Sequence, residues 1–508
     1  MQKPIIVASF VLVLIMSTGF VLAGDAPVSD ETQECLDCHS LFHPGIVADW
    51  QRSRHARTTP KEALSVEEDQ KRLTGKQIPE GLMENSVGCA ECHTARSANH
   101  KDTFEHNGYD VHVVVSPDDC ATCHATEREQ FSENIMSMAE KNLSENSLYQ
   151  DLQRTILGTP HSGADGLHFT PANDMTRADG CFYCHGTKLQ VSGTETRDTD
   201  AGELDFPVIE GWPNQGVGRV NLDGSRGSCS ACHTRHRFSI EVARKPYTCK
   251  ECHVGPDVPA FKVYSASKHG AIFSSTQAGM NFTHVPWVIG EDIQVPTCAT
   301  CHISKTVNAD GDVINNRTHK VTDRLGWRIF GLIYAHPQPI SPDTTRIKNK
   351  MGLQLPTDLD GSAATEFLIS SKEIGSRRTT MKRTCLACHD TSWVRGHFER
   401  LDNTIAVSNQ SVRVATQLME SAWTNRYAQG LMGGGSLFDE YIERRWSDTW
   451  LLYANNIRFA SAMAGGGDYG VFEDGRYHLA KSIMEMKDWM KTRAFMQQQK
   501  KISSELLK

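Results

Sequence analysis

The chain has 508 residues, 16 cysteines, 22 histidines and a formal net charge of −8. So acidic a chain is a poor nucleic-acid binder, and only its N-terminus carries an apolar run of near-spanning length. Nucleic-acid and multi-pass membrane functions are therefore excluded.

Residues Met1–Ala23 read as an export leader: Lys3, an apolar run from Ile5 to Val21, and a small-residue cleavage site ending at Ala23. An uncleaved anchor is the alternative. Cleavage would leave a soluble protein in the periplasm or an equivalent extracytoplasmic compartment.

From residue 35 the pattern C-x-x-C-H recurs eight times and uses every cysteine. The first four copies are Cys35, Cys38 and His39; Cys89, Cys92 and His93; Cys120, Cys123 and His124; Cys181, Cys184 and His185. The last four are Cys229, Cys232 and His233; Cys249, Cys252 and His253; Cys298, Cys301 and His302; Cys385, Cys388 and His389. Thiols at this spacing bond the vinyl groups of a c-type haem, and the adjacent imidazole ligates its iron. Zinc sites or disulfides would leave the recurring histidine unexplained. Eight covalent haems are expected.

So many macrocycles replace side-chain core, which predicts a mainly α fold. Residues 24–398 should form a multihaem cytochrome c domain of short helices and long loops packed on haems. The short spacings of Cys89 to Cys120 and Cys229 to Cys249 predict haems near contact. Residues 399–508 should form a C-terminal bundle of long helices, used for oligomerisation. There Val412, Ala415, Met419 and Ala422 recur at helical spacing, as do Leu479, Ile483, Met486 and Met490. The aromatic stripe within residues 438–463 reads as core or subunit interface. Propionates deepen the acidity, so a cytochrome c with a basic face is the expected electron acceptor.

An electron-carrying haem usually takes a second protein ligand, whereas a catalytic one keeps a face open. Fourteen histidines lie outside the motifs. His236 stands out, because three residues after His233 it shares a helix face yet must serve a neighbouring iron. His55, His161, His269 and His319 follow, with His106 or His112 supplying another.

The segment Cys229–Gly270, with its CHTRH-F, RKP and closing Y-x-x-SKHG, resembles the octahaem hydroxylamine oxidoreductase family, including its hydrazine-oxidising members. Thr318-His319 and Trp327 match as well. The resemblance implies that the fourth motif holds the catalytic haem, whose His185 leaves the opposite face open to hydroxylamine or hydrazine. It also implies that Asp257 accepts protons and that Tyr469, after a glycine run, crosslinks to the haem of a neighbouring subunit in a homotrimer. Tyr477 is the fallback for that crosslink. Two positions depart from the family: Val258 stands where an Asp-His pair would continue, and Phe330 where a distal Tyr is expected. Both make the pocket more apolar. A reductive reaction on nitrite or nitric oxide, and a pure electron conduit, are the competing expectations.

Overall fold

The computed structural model describes residues 26–507 apart from 165, 200–201, 431–435 and 466. The expected leader, residues 1–23, lies outside the described residues.

Short helical turns carry the motifs. Cys89–His93, Cys181–His185 and Cys298–His302 are each five residues long, and Cys229–Ala231 is a single 3-10 turn. Elements this short are not stable alone and depend on tertiary partners. The first two motifs show how such partners work. Glu91, inside the second motif, accepts hydrogen bonds from Ser29 Oγ (2.5 Å) and Thr32 Oγ1 (2.7 Å) of the first motif's helix, and from Gly88 N (2.8 Å). Gly88 must be glycine for this approach, since a Cβ there would meet the Thr32 side chain at 2.4 Å. The first-motif helix, Asp30–Phe42, starts where Ser29 Oγ accepts from Thr32 N.

Strand is confined to small pieces. The longest hairpin pairs Gln190–Thr199 with Gly202–Glu210, and a shorter one pairs Thr159–Gly163 with Gly166–Thr170. A two-residue ladder sets Trp327 opposite Pro337 and Arg328 opposite His336.

The C-terminal part contains four helices: α1 (Thr391–Thr424), α2 (Tyr441–Ser447), α3 (Ala454–Ala462) and α4 (Arg476–Leu506). α1 begins directly after the eighth motif, where Asp390 accepts from Ser392 N and Trp393 N, and it runs unbroken through residue 399. Val412, Ala415, Met419 and Ala422 are fully buried on one face. Phe438, Trp446 and Trp450 of the aromatic stripe are core, and Trp446 meets Trp423 and Trp450 edge-on. This core continues into Leu148 and Leu152, on the helix Ser147–Leu157 that precedes the fourth motif, and into Leu332–Tyr334. The bundle is thus a wall against which the fourth-motif region packs.

Truncating Trp446 to Ala should cost about 3–5 kcal/mol, read as a lowered denaturation midpoint of the C-terminal part. Glu443, fully buried and accepting from Trp423 Nε1 (2.9 Å), is pushed up to about 7 by burial. A carboxyl held above its unfolded value stabilises most below pH ~4.5 and loses that contribution as pH rises through ~7. Glu443→Gln should flatten thermal stability across that window; an unchanged slope would contradict the assignment.

Candidate functional site

None of the sixteen cysteines is in a disulfide. One cavity of about 3320 Å³ is lined by cysteines of the first three and last four motifs, together with His55, His106, His236, His269 and His319. Histidine rings face each other across it at ligation-compatible spacing. Ring centroids are 6.2 Å apart for His39 and His106, 6.3 Å for His124 and His55, 6.5 Å for His233 and His319, and 6.1 Å for His389 and His269. An iron bonded to two imidazoles at about 2 Å each requires roughly this separation. Burial pulls His55, His233 and His319 down to about 4, so they present neutral, coordinating nitrogens. These residues fit c-type haems.

His236 lines the same cavity, and His93 is the motif histidine whose charge reaches it. The helix-face argument for it does not hold locally, because residues 233–236 form turns, not helix. The His112 ring lies 6.0 Å from that of His93, as close as the four pairs above, but its hydrogen bonds set it apart. His93 Nδ1 donates to the His112 carbonyl (2.8 Å), which puts His112 behind the ligand; its own Nε2 lies 2.9 Å from Ala95 O, and it stacks on His100. His161 is on an exposed hairpin with Nε2 on Thr170 Oγ1 (2.9 Å), and the structure brings it to no motif histidine among the described ring contacts.

Contacts between thiols order the attachment points. The thiol of Cys35 lies against that of Cys89, Cys120 against Cys229, Cys249 against Cys298, and Cys184 against Cys252. Cys92 interacts with Cys123, Cys232 with Cys249, and Cys301 with Cys385. The motifs therefore run one, two, three, five, six, seven, eight, and the fourth joins as a branch at the sixth.

The fourth motif also has different surroundings. Cys181, Cys184 and His185 do not line the large cavity. Charges that reach His185 come from Asp257 and Arg328, and the same two act on Tyr149, whose phenol burial raises above its ordinary value. His336, held opposite Arg328 by the short ladder, is pulled down to about 3 by burial and by that arginine. Its Nδ1 donates to Pro337 O (2.6 Å). Arg328 donates Nε–H to Phe330 O (3.1 Å) and lies 5.1 Å over the Phe330 ring. Among the described residues it pairs with no carboxylate. Phe330 stacks on Phe459 (5.7 Å), and with Val258 it packs beside Tyr469.

Tyr469 is 6% exposed, packed within its own subunit, and its hydroxyl is buried without a partner; burial and nearby acids raise it to about 12. Tyr477 is exposed. Sequence reading thus found Asp257 but missed Arg328, Tyr149 and His336. Arg328 follows Trp327 of the quoted match, which was the available signal. Tyr149 lies on a separate helix and carried none.

Comparison with known proteins agrees with this construction. Residues 215–329 match a family of multihaem cytochromes with seven C-x-x-C-H copies, and residues 34–113 match cytochrome c554 and c-prime. A solved structure described as a hypothetical multiheme protein superposes with a TM-score of 0.87, at 38% identity over 94% of this chain and 98% of its own. The chain is therefore a multihaem cytochrome c. Two further matches are more distant and carry hydroxylamine oxidoreductase in their descriptions. A probable nitrite reductase-hydroxylamine oxidoreductase fusion protein of Kuenenia stuttgartiensis is 25% identical over 77% of this chain, which spans 38% of that relative's length. The reducing HAO-like protein complex of Kuenenia stuttgartiensis shares the fold, with a TM-score of 0.61 at 18% identity over 93% of this chain and 87% of its own.

His106→Met should convert one low-spin bis-histidine electron paramagnetic resonance signal and raise one midpoint potential. His112→Leu should leave both unchanged, and the reverse pattern would exchange the two assignments.

Proposed function

We propose that all eight motifs carry haem and that the protein, outside the cytosol, reduces nitrite at the fourth motif, supplied with electrons by a cytochrome c-type donor. The observation that carries this reading is Arg328, a guanidinium without a carboxylate partner beside His185. A cation held in a partly dry pocket favours an anion there. Nitrite is such an anion; hydroxylamine and hydrazine are not. The haem at Cys181, Cys184 and His185 would supply the redox-active iron. Arg328 would hold the anion, Asp257 would pass protons to it, and Phe330 and Val258 would exclude water. Tyr149 and His336 add further polar groups beside the same charges. Tyr469, buried within its own chain, supports the reductive direction.

A second reading is favoured by the unpartnered Tyr469 hydroxyl. Crosslinked to a neighbouring subunit's haem in a homotrimer, it would turn the site towards hydroxylamine or hydrazine oxidation.

Denaturing electrophoresis should show a monomer with ordinary c-type absorption only, haem quantification should give eight per chain, and reduced-viologen assays should consume nitrite. Arg328→Leu should raise the nitrite KM by about tenfold or more. A covalent trimer with an anomalous Soret-region band, together with hydroxylamine turnover, would transfer the assignment to the oxidative reading. Inactivity on every substrate would leave an electron conduit.

A further inference from the structure

Arg458 on α3 is fully buried, and the groups it bonds are all neutral. Its Nε donates to Ser408 Oγ (2.9 Å), Nη1 to Ile329 O (3.2 Å) and to Asn455 Oδ1 (3.4 Å), and Nη2 to Asn409 Oδ1 (2.7 Å). Among the described residues no carboxylate lies within ion-pair distance of it. Burying an uncompensated guanidinium is costly by several kcal/mol, so such a residue calls for an explanation.

Its hydrogen bonds lead towards the fourth motif. Ile329 adjoins both Arg328 and Phe330. Asn409 receives Ala335 N (3.1 Å) and donates to Ala335 O (3.1 Å), immediately before His336. On the same helix Asn455 donates to Asp257 O (3.1 Å) and Asn456 to Pro256 O (3.1 Å). α3, through Asn455, Asn456 and Arg458, fixes the backbone beside Asp257 and Arg328, and Asn409 of α1, which Arg458 bonds, fixes it beside His336.

We propose that Arg458 is the positioning residue of the fourth-motif site: it holds Arg328 and Asp257 in register, and its buried charge makes the site selective for anions over neutral ligands. This rests on the reading of that site as nitrite-binding. A lysine could keep the charge but not span all four acceptors, and a glutamine could keep neither.

The test is ligand binding to the intact holoprotein, followed by difference spectra with two probes, nitrite and carbon monoxide. Arg458→Gln should weaken nitrite binding by about tenfold while carbon monoxide affinity stays within about twofold, and Arg458→Lys should recover most of the nitrite affinity. Nitrite affinity unchanged in Arg458→Gln, with only a shifted haem potential, would overturn the proposal and give the charge to a propionate. Parallel loss of both probes in both variants would overturn it in favour of a packing role. If the unmodified protein binds carbon monoxide but no nitrite, the nitrite reading fails. Should Arg458→Gln not assemble, Asn409→Ala and Asn455→Ala, which loosen Arg458 without removing its charge, decide: nitrite weakened at least threefold with carbon monoxide intact sustains the positioning role, and unchanged affinities remove it.

Discussion

Contact between attachment points is the constraint on which the rest of the structure depends. Thiol pairs such as Cys120 and Cys229, or Cys249 and Cys298, lie where two motifs' turns meet. Most of these turns are three to five residues long and have no stability of their own, so their positions must come from elsewhere. Glu91 illustrates the solution: one carboxylate, placed between the two cysteines of its motif, binds the preceding motif's helix through Ser29 and Thr32. Sixteen side chains are devoted to attachment, and the neighbouring polar residues are devoted to holding those attachments against one another. Little is left over for sheet, and the small ladders seen are local staples.

The same constraint explains why the C-terminal bundle is so conventional. It carries no motif, so it can bury Trp446, Trp450 and Met486 in an ordinary aromatic and aliphatic core. Its rigidity is then available to the region beside it. α3 turns its polar residues towards the fourth motif, and Asn455, Asn456 and Arg458 bond backbone that no haem attachment fixes. Motif histidines such as His124 face a second histidine, here His55, across the large cavity. The fourth motif, whose His185 is reached by the charges of Asp257 and Arg328, lies against a helical wall instead.

How much of this was legible follows from what kind of signal each feature carries. Covalent attachment has a contiguous motif, so the cysteines and proximal histidines could be read directly. The buried faces of α1 and α4 repeat at helical spacing and were equally readable. Distal histidines sit far from their partners in sequence; ring spacing admits both His106 and His112, the hydrogen bond from His93 Nδ1 to the His112 carbonyl sets the two apart, and only the fold reveals that His161 is on an exposed hairpin. The short ladder that puts Arg328 opposite His336 has two residues per strand, below the length at which alternation is detectable. Tyr149 reaches the site through packing of a helix whose sequence is otherwise unremarkable for chemistry.

Net charge is the clearest case of a global quantity that misleads locally. At −8 the chain invites partners that are cationic, and that argument holds for large surfaces sensed at a distance. Inside the molecule the balance is reversed near the fourth motif: Arg328 and Arg458 are unpaired by carboxylates, while Asp257 is the single acid acting on His185. Effective dielectric is lower there, so each fixed charge counts for more than a surface one. The substitution of apolar Val258 and Phe330 for polar groups strengthens the effect, since fewer dipoles remain to soften the field. An acidic exterior and a cationic pocket are then compatible demands. If the site takes nitrite, the chain's net charge would favour a basic electron donor while opposing the approach of a small anion, and the pocket's own field would have to supply the selectivity that the net charge denies.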